Sequence, residues 1–263
     1  MAASVPDKTA AFRAEYRSEI LPPGYSGAAH VLLVLAAAGG GIAAALAFAI
    51  ARGSWRDLWI VPLTLVVANV VEYLAHRGPM HHRVGGLHAL HTRHSGRHHR
   101  FFVAEAMPFE GVRDLHAVLF PPVLLLFFGA IACGLGALVA LVAPGGVAAL
   151  FVASALGYYL LYEVLHFLYH VPPHWRAARW PGVRWLARLH RLHHDPLRMQ
   201  HANFNLVFPL CDRLAGTFDP AGERAPAPER AGLCPRGTAG EASGAVVPGD
   251  ESARSSAAPG VLR

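Results

Sequence analysis

Apolar residues dominate four stretches of the 263-residue chain, at 28–51, 58–75, 115–143 and 147–169. A helix needs roughly 20 apolar residues to cross a hydrocarbon core about 30 Å thick. The pattern therefore predicts an all-α integral membrane protein with about four transmembrane helices. The first stretch is rich in Ala and Gly, which favour close helix packing. The third carries Pro121 and Pro122, predicting a bend where the backbone loses donors. Pro144, Gly145 and Gly146 mark the turn into the fourth. A polar leader, 1–27, precedes the membrane domain, 28–218. The segment 219–263, rich in Pro, Gly, Ala, Ser and Glu without periodicity, reads as a disordered tail. The 28–51 run exceeds the usual apolar length of a signal peptide, so it reads as an uncleaved anchor.

Composition agrees: 54% of residues are hydrophobic and only 15% charged. Lys8, Arg13 and Arg17 lie on the leader, whereas the link after the first helix carries only Arg52 and Arg56. Four crossings return the chain to the leader's side. That side also holds Arg77, Arg83, Arg93, Arg97, Arg100 and the set from Arg176 to Arg198, so the positive-inside rule makes it cytoplasmic. The net charge of +6 comes from arginines flanking membrane segments and does not point to nucleic acid. Lys8 is the only lysine, a bias that resembles a GC-rich bacterial genome and hence an inner membrane. Cys133, Cys211 and Cys234 show no pairing framework, in keeping with a reducing compartment.

The 17 histidines change the picture, because most gather at the ends of apolar stretches. His166 and His170 are four apart and share a helix face. His190, His193 and His194 repeat the logic at three and four. His76 and His81 are five apart with Gly78-Pro79 between them, so a helix break is expected to let the second ring swing back. With His94, His98 and His99, these make ten nitrogen donors, enough for two metals with four or five imidazoles each. Imidazole suits Fe, Zn, Cu and Ni, whereas Mg and Ca want oxygen. His30, His116 and His174 read as polar anchors at the membrane interface; His82, His88, His91 and His201 read as second-layer or solvated groups. Glu72 and Glu163 stand inside apolar runs one turn before His76 and His166, where a carboxylate needs a partner. They are expected to fix ligand tautomers. Asn69 is a candidate to pair across helices.

From about Val70 to Thr217 the chain resembles the fatty acid hydroxylase and sterol desaturase superfamily of membrane di-iron oxidases. "EYLAHRGPMH" (72–81) is similar to its first His-x4-His motif, "GYYLLYEVLHFLYH" (157–170) to its His-x3-His helix and "LHRLHH" (189–194) to its closing motif. "CDRLAGT" (211–217) resembles the segment that follows. "PFEG" (108–111) and "FPP" (120–122) lean toward fatty-acid alpha-hydroxylases. The second motif departs by one residue, His94-Ser95-Gly96-Arg97-His98-His99 in place of His-x2-His-His. Either a turn absorbs the extra residue or His91 replaces His94. Cys211 stands where a tryptophan is common, which bears on the substrate.

The resemblance implies two iron ions, replaceable by zinc on purification because zinc stands higher in the Irving–Williams order. It also implies O2 as co-substrate and a lipid substrate, with a long acyl chain favoured. No haem-binding "HPGG", cysteine-rich cluster motif or dinucleotide loop is present, so a separate ferredoxin or cytochrome with its reductase is expected. Alternatives are a sterol or acyl-lipid desaturase, a carotenoid hydroxylase, and a non-catalytic metal protein or transporter. The last fits less well, since transporters bind near the bilayer midplane and these histidines gather on one side. Trp175, Trp180 and Trp185 alternate with arginines, predicting a headgroup-level segment that roofs the site.

Overall fold

The computed structural model of the chain describes residues 5–223. Among these the structure is helical, with an isolated bridge between Val103 and Ala106 and no strand. The helices are α1 (Val5–Glu15), α2 (Gly27–Arg52), α3 (Ile60–Ala75), α4 (His88–Arg93), α5 (His99–Phe101), α6 (Leu115–Val118), α7 (Pro122–Ala140), α8 (Gly145–Tyr169), α9 (Pro181–His193) and α10 (Leu210–Leu214). Four spans are long and apolar enough to cross a membrane: α2, the segment Trp55–Met80 containing α3, α7 and α8. The protein is an all-α integral membrane protein. Its spanning helices leave large apolar side chains uncovered, Leu126 being 71% exposed, as lipid contact requires.

Helix α8 is central and packs on α2, α3 and α7. Its first turn meets the end of α2 so closely that a Cβ on Gly146 would collide with the Gly53 backbone. Glycine on both sides lets the two backbones touch. The third apolar stretch is not one bent helix. It divides into α6 and α7, with Pro122 opening the second, where its missing N–H costs nothing. The backbone groups freed by the break find side chains: Phe120 N–H donates to Glu163 (3.2 Å), and the Phe120 carbonyl accepts from His30 Nε2 (3.0 Å). Irregular backbone in such a protein persists only where it is satisfied in this way.

The leader is part of the fold. Phe12, Tyr16 and Leu21 enter a core with Phe101, Phe102, Phe109 and Leu115. The few apolar residues of this polar stretch find partners in segments distant along the chain, which a local pattern does not announce. His30 and His116 are also more than interface anchors. His30 is buried against Tyr25 (2.8 Å), and His116 Nδ1 meets the Tyr16 hydroxyl at 2.7 Å. His174 is exposed. The packed chain extends beyond 218: Asp219 exchanges backbone bonds with the Asn203 side chain, and Gly222 accepts from Arg198. The rest of the tail reading, 224–263, and Cys234 lie outside the described residues.

Candidate metal centre

The membrane helices deliver histidines from their ends, and two widened turns complete the delivery. The expected break at Gly78-Pro79 is instead a π turn, His76–Met80, that ends the span. A second π turn, His94–His98, takes up the extra residue of that motif. A π turn contains one residue more than an α turn. Rings five apart, His76 with His81 and His94 with His99, thereby reach one side, at centroid separations of 5.1 and 4.7 Å.

All ten predicted donors are buried and fall into two adjoining groups. His76, His81, His94, His99 and His193 form the first; His98, His166, His170 and His190 form the second. His194 joins the second, with its Nε2 3.1 Å from His98 Nε2 and 3.0 Å from His190 Nε2. The groups interleave the motifs, so that His193 crosses to the first and His98 to the second. The His99 and His194 rings stack between them at 4.2 Å.

Hydrogen bonding shows what these nitrogens suit. The Nδ1 atoms of His98 and His194 face the carbonyls of Ala117 (2.9 Å) and Phe102 (2.6 Å). A carbonyl only accepts, so each Nδ1 carries the proton and each Nε2 presents a bare lone pair. Those lone pairs confront each other at 3.1 Å. Without a cation between them the contact is repulsive. Close Nε2 pairs recur at 2.9 Å for His76 with His94 and 3.0 Å for His81 with His193. Cis ligands about 2.1 Å from a metal are separated by roughly 3.0 Å, so the spacing fits a metal–imidazole shell. Burial pushes His94, His98, His99, His190, His193 and His194 well below the ordinary histidine range, and neighbouring imidazoles act in the same direction. Neutral imidazole is the form that binds metal.

Backbone carbonyls, not carboxylates, face the Nδ1 atoms of His76, His98, His170, His193 and His194, while His81 Nδ1 meets the Ser95 hydroxyl. Phe204 and Ala202 serve His76 and His193; Phe102 and Met107 serve His194 and His170. The expected role of Glu72 and Glu163 is corrected accordingly. Glu72 accepts from the backbone of Leu206 and Val207 and from Tyr158 and Asn69. Glu163 accepts from Phe120 N–H and Tyr159. Each finds its partners in another segment's backbone and a tyrosine, and so fastens loops instead of imidazoles. His91 is half-buried outside both groups, and His201 is exposed.

Residues that sequence reasoning left aside hold the carbonyls in place. Asp212, buried, accepts from Phe204 N (3.0 Å), Asn205 N (2.7 Å) and Thr217 Oγ1 (2.6 Å). Asn203, at φ 57°, takes the left-handed turn that asparagine tolerates, between the two carbonyls serving His76 and His193. The acid in "CDRLAGT" was the available signal for Asp212.

An apolar cavity of about 220 Å³ leads from this centre into the spanning helices. His76, Met80, Phe120 and Tyr162 line the histidine end; Leu135 and Phe151 lie deeper, between α7 and α8. Along the span Trp55–Met80 the lining runs from His76 to Thr64, about 18 Å at 1.5 Å per residue.

The fatty acid hydroxylase family profile matches residues 61–217. The chain belongs to the fatty acid hydroxylase family. No curated protein and no solved structure matches it. Family membership makes the protein a membrane oxygenase of the hydroxylase and desaturase type, and the buried imidazoles fit the iron dependence typical of the family. The matched region begins after α2 and excludes the docked leader of this family member.

Proposed function

We propose that the protein is a di-iron hydroxylase of a long acyl chain, oxidising it near the head-group end. The ten buried histidines hold the two ions, and external electrons come from a ferredoxin or cytochrome with its reductase. The observation that carries this reading is the apolar cavity that starts at His76 and descends between the spanning helices. The stretch of helix that lines it, about 18 Å long, is close to one leaflet of a hydrocarbon core roughly 30 Å thick. A chain inserted tail-first leaves its polar end at the level of the histidines. The fatty-acid alpha-hydroxylase resemblance agrees with that position.

When bound, the iron pair supplies the O2-dependent redox chemistry that an unactivated C–H bond demands. The overall change consumes a C–H bond, O2, two electrons and two protons and yields C–OH and water. The chain's own contribution is positional. Carbonyl-bound Nδ1 protons keep the Nε2 lone pairs directed inward, while Met80, Phe120 and Tyr162 enclose the reacting end and exclude water. On α9, His190 and His193 are buried and Arg184, Arg188 and Arg191 are exposed, so the helix covers the centre with its cations outward. Arginine placement supports a cytoplasmic centre, and composition supports a bacterial inner membrane.

Expression with a compatible electron donor, followed by lipid mass spectrometry against His194→Ala, tests the reaction. A gain of one oxygen in an acyl lipid is expected. Loss of two hydrogens without oxygen moves the assignment to desaturation, and neither change in a metal-loaded protein with a working donor overturns it. The cavity makes a separate prediction. Ala155→Phe inserts a ring into its wall and is expected to lower kcat/KM for long chains roughly 10-fold or more, consistent with an overpacking cost of about 1–3 kcal/mol. Shorter chains and metal content are to be spared. Equal loss across chain lengths would exclude the cavity as the tail site.

A further inference from the structure

We infer that Arg13, on the leader helix outside the matched family region, is a positioning residue for the second histidine group. Arg13 is buried, and its guanidinium reaches the loop that follows α5. Nε donates to the Phe101 carbonyl at 2.9 Å. Nη2 donates to the carbonyls of Ala106 (2.6 Å) and Pro108 (3.3 Å), and Nη1 pairs with Glu110 at 2.7 Å. The intervening positions are informative. Phe102, next to Phe101, accepts from His194 Nδ1 at 2.6 Å; Met107, between Ala106 and Pro108, accepts from His170 Nδ1 at 2.9 Å.

One planar fork therefore fixes the peptide that precedes the Phe102 carbonyl and the peptides on either side of the Met107 carbonyl. Its donors have a rigid geometry that the single ammonium of lysine lacks. The guanidinium also lies 5.5 Å from the Phe102 ring centroid, and that ring packs on His170 at 4.2 Å. The carbonyls that serve the first group, Ala202 and Phe204, are held instead by the Asn203 and Asp212 network. The two halves of the centre have separate braces. Loss of Arg13 should loosen one half and leave the other.

This inference rests on the two-metal reading. The test uses full-length protein in detergent, comparing wild type, Arg13→Ala and Arg13→Lys by metal analysis and by the kinetics of metal release to a chelator. Wild type should carry two metals. Folded, monodisperse Arg13→Ala should keep one, and Arg13→Lys should release one metal roughly 10- to 100-fold faster than wild type, the range typical of lost ligand-orienting contacts. Its other metal should leave at the wild-type rate. Two metals released at wild-type rates from both variants would overturn the assignment, as would equal acceleration of both metals. Failure of both variants to fold would make Arg13 a general folding residue and also overturn it. A wild type with fewer than two metals would instead overturn the two-metal reading and this inference together.

Discussion

Alanine in place of His94 is expected to abolish lipid oxidation and leave one metal per chain, whereas alanine in place of His91 should preserve both metals and turnover. The residues are three apart in sequence, but only His94 is in a donor group. Its Nε2 lies 2.9 Å from His76 Nε2 and 3.1 Å from His99 Nε2. Removing it opens a gap between two lone-pair donors, and the first site should lose affinity by roughly 100-fold or more, beyond the loss typical of orienting contacts alone. Metal analysis and lipid mass spectrometry on the two variants make the comparison. Full activity in His94→Ala with loss in His91→Ala would reverse the assignment of the lengthened second motif.

Glu72→Ala should be the most destabilising single change within the spanning helices. It leaves the N–H groups of Leu206 and Val207 and the Tyr158 hydroxyl without their acceptor in a buried place. A buried donor left unmade costs about 1–3 kcal/mol, so the combined loss should reach on the order of 3 kcal/mol or more. The same loop supplies the Phe204 carbonyl to His76. Lower stability should therefore accompany faster release of the first metal. Thermal unfolding in detergent together with chelator kinetics reads both effects; an unchanged unfolding midpoint would show that the carboxylate is not the fastener.

The membrane architecture and the ten candidate donors were legible along the chain because both are local patterns. A spanning helix declares itself by length and hydropathy, and histidines at the end of such a helix declare themselves by spacing. The grouping of those histidines was not local. His193 sits beside His81, 112 positions earlier, and His98 beside His166, 68 positions later. Only the packing of α3, α8 and α9 around the His94–His98 turn and α5 decides which rings meet. The π turns at His76–Met80 and His94–His98 escaped spacing rules built on the α-helical repeat.

Glu72 and Glu163 show the same division. Their need for partners followed from a carboxylate inside an apolar helix. The identity of those partners depended on which backbone groups tertiary folding left unpaired nearby. Arg13 is the extreme case: nothing adjacent to it in sequence announces the Phe101, Ala106 and Pro108 carbonyls. Sequence alone determined the solvent of this protein, the number of its crossings and the nitrogen donors available at one side, since hydropathy and residue chemistry act position by position. Tertiary structure decided how the donors divide, which carbonyls aim them and which leader residue braces those carbonyls, because hydrogen bonds between distant segments depend on where the packed helices place their ends.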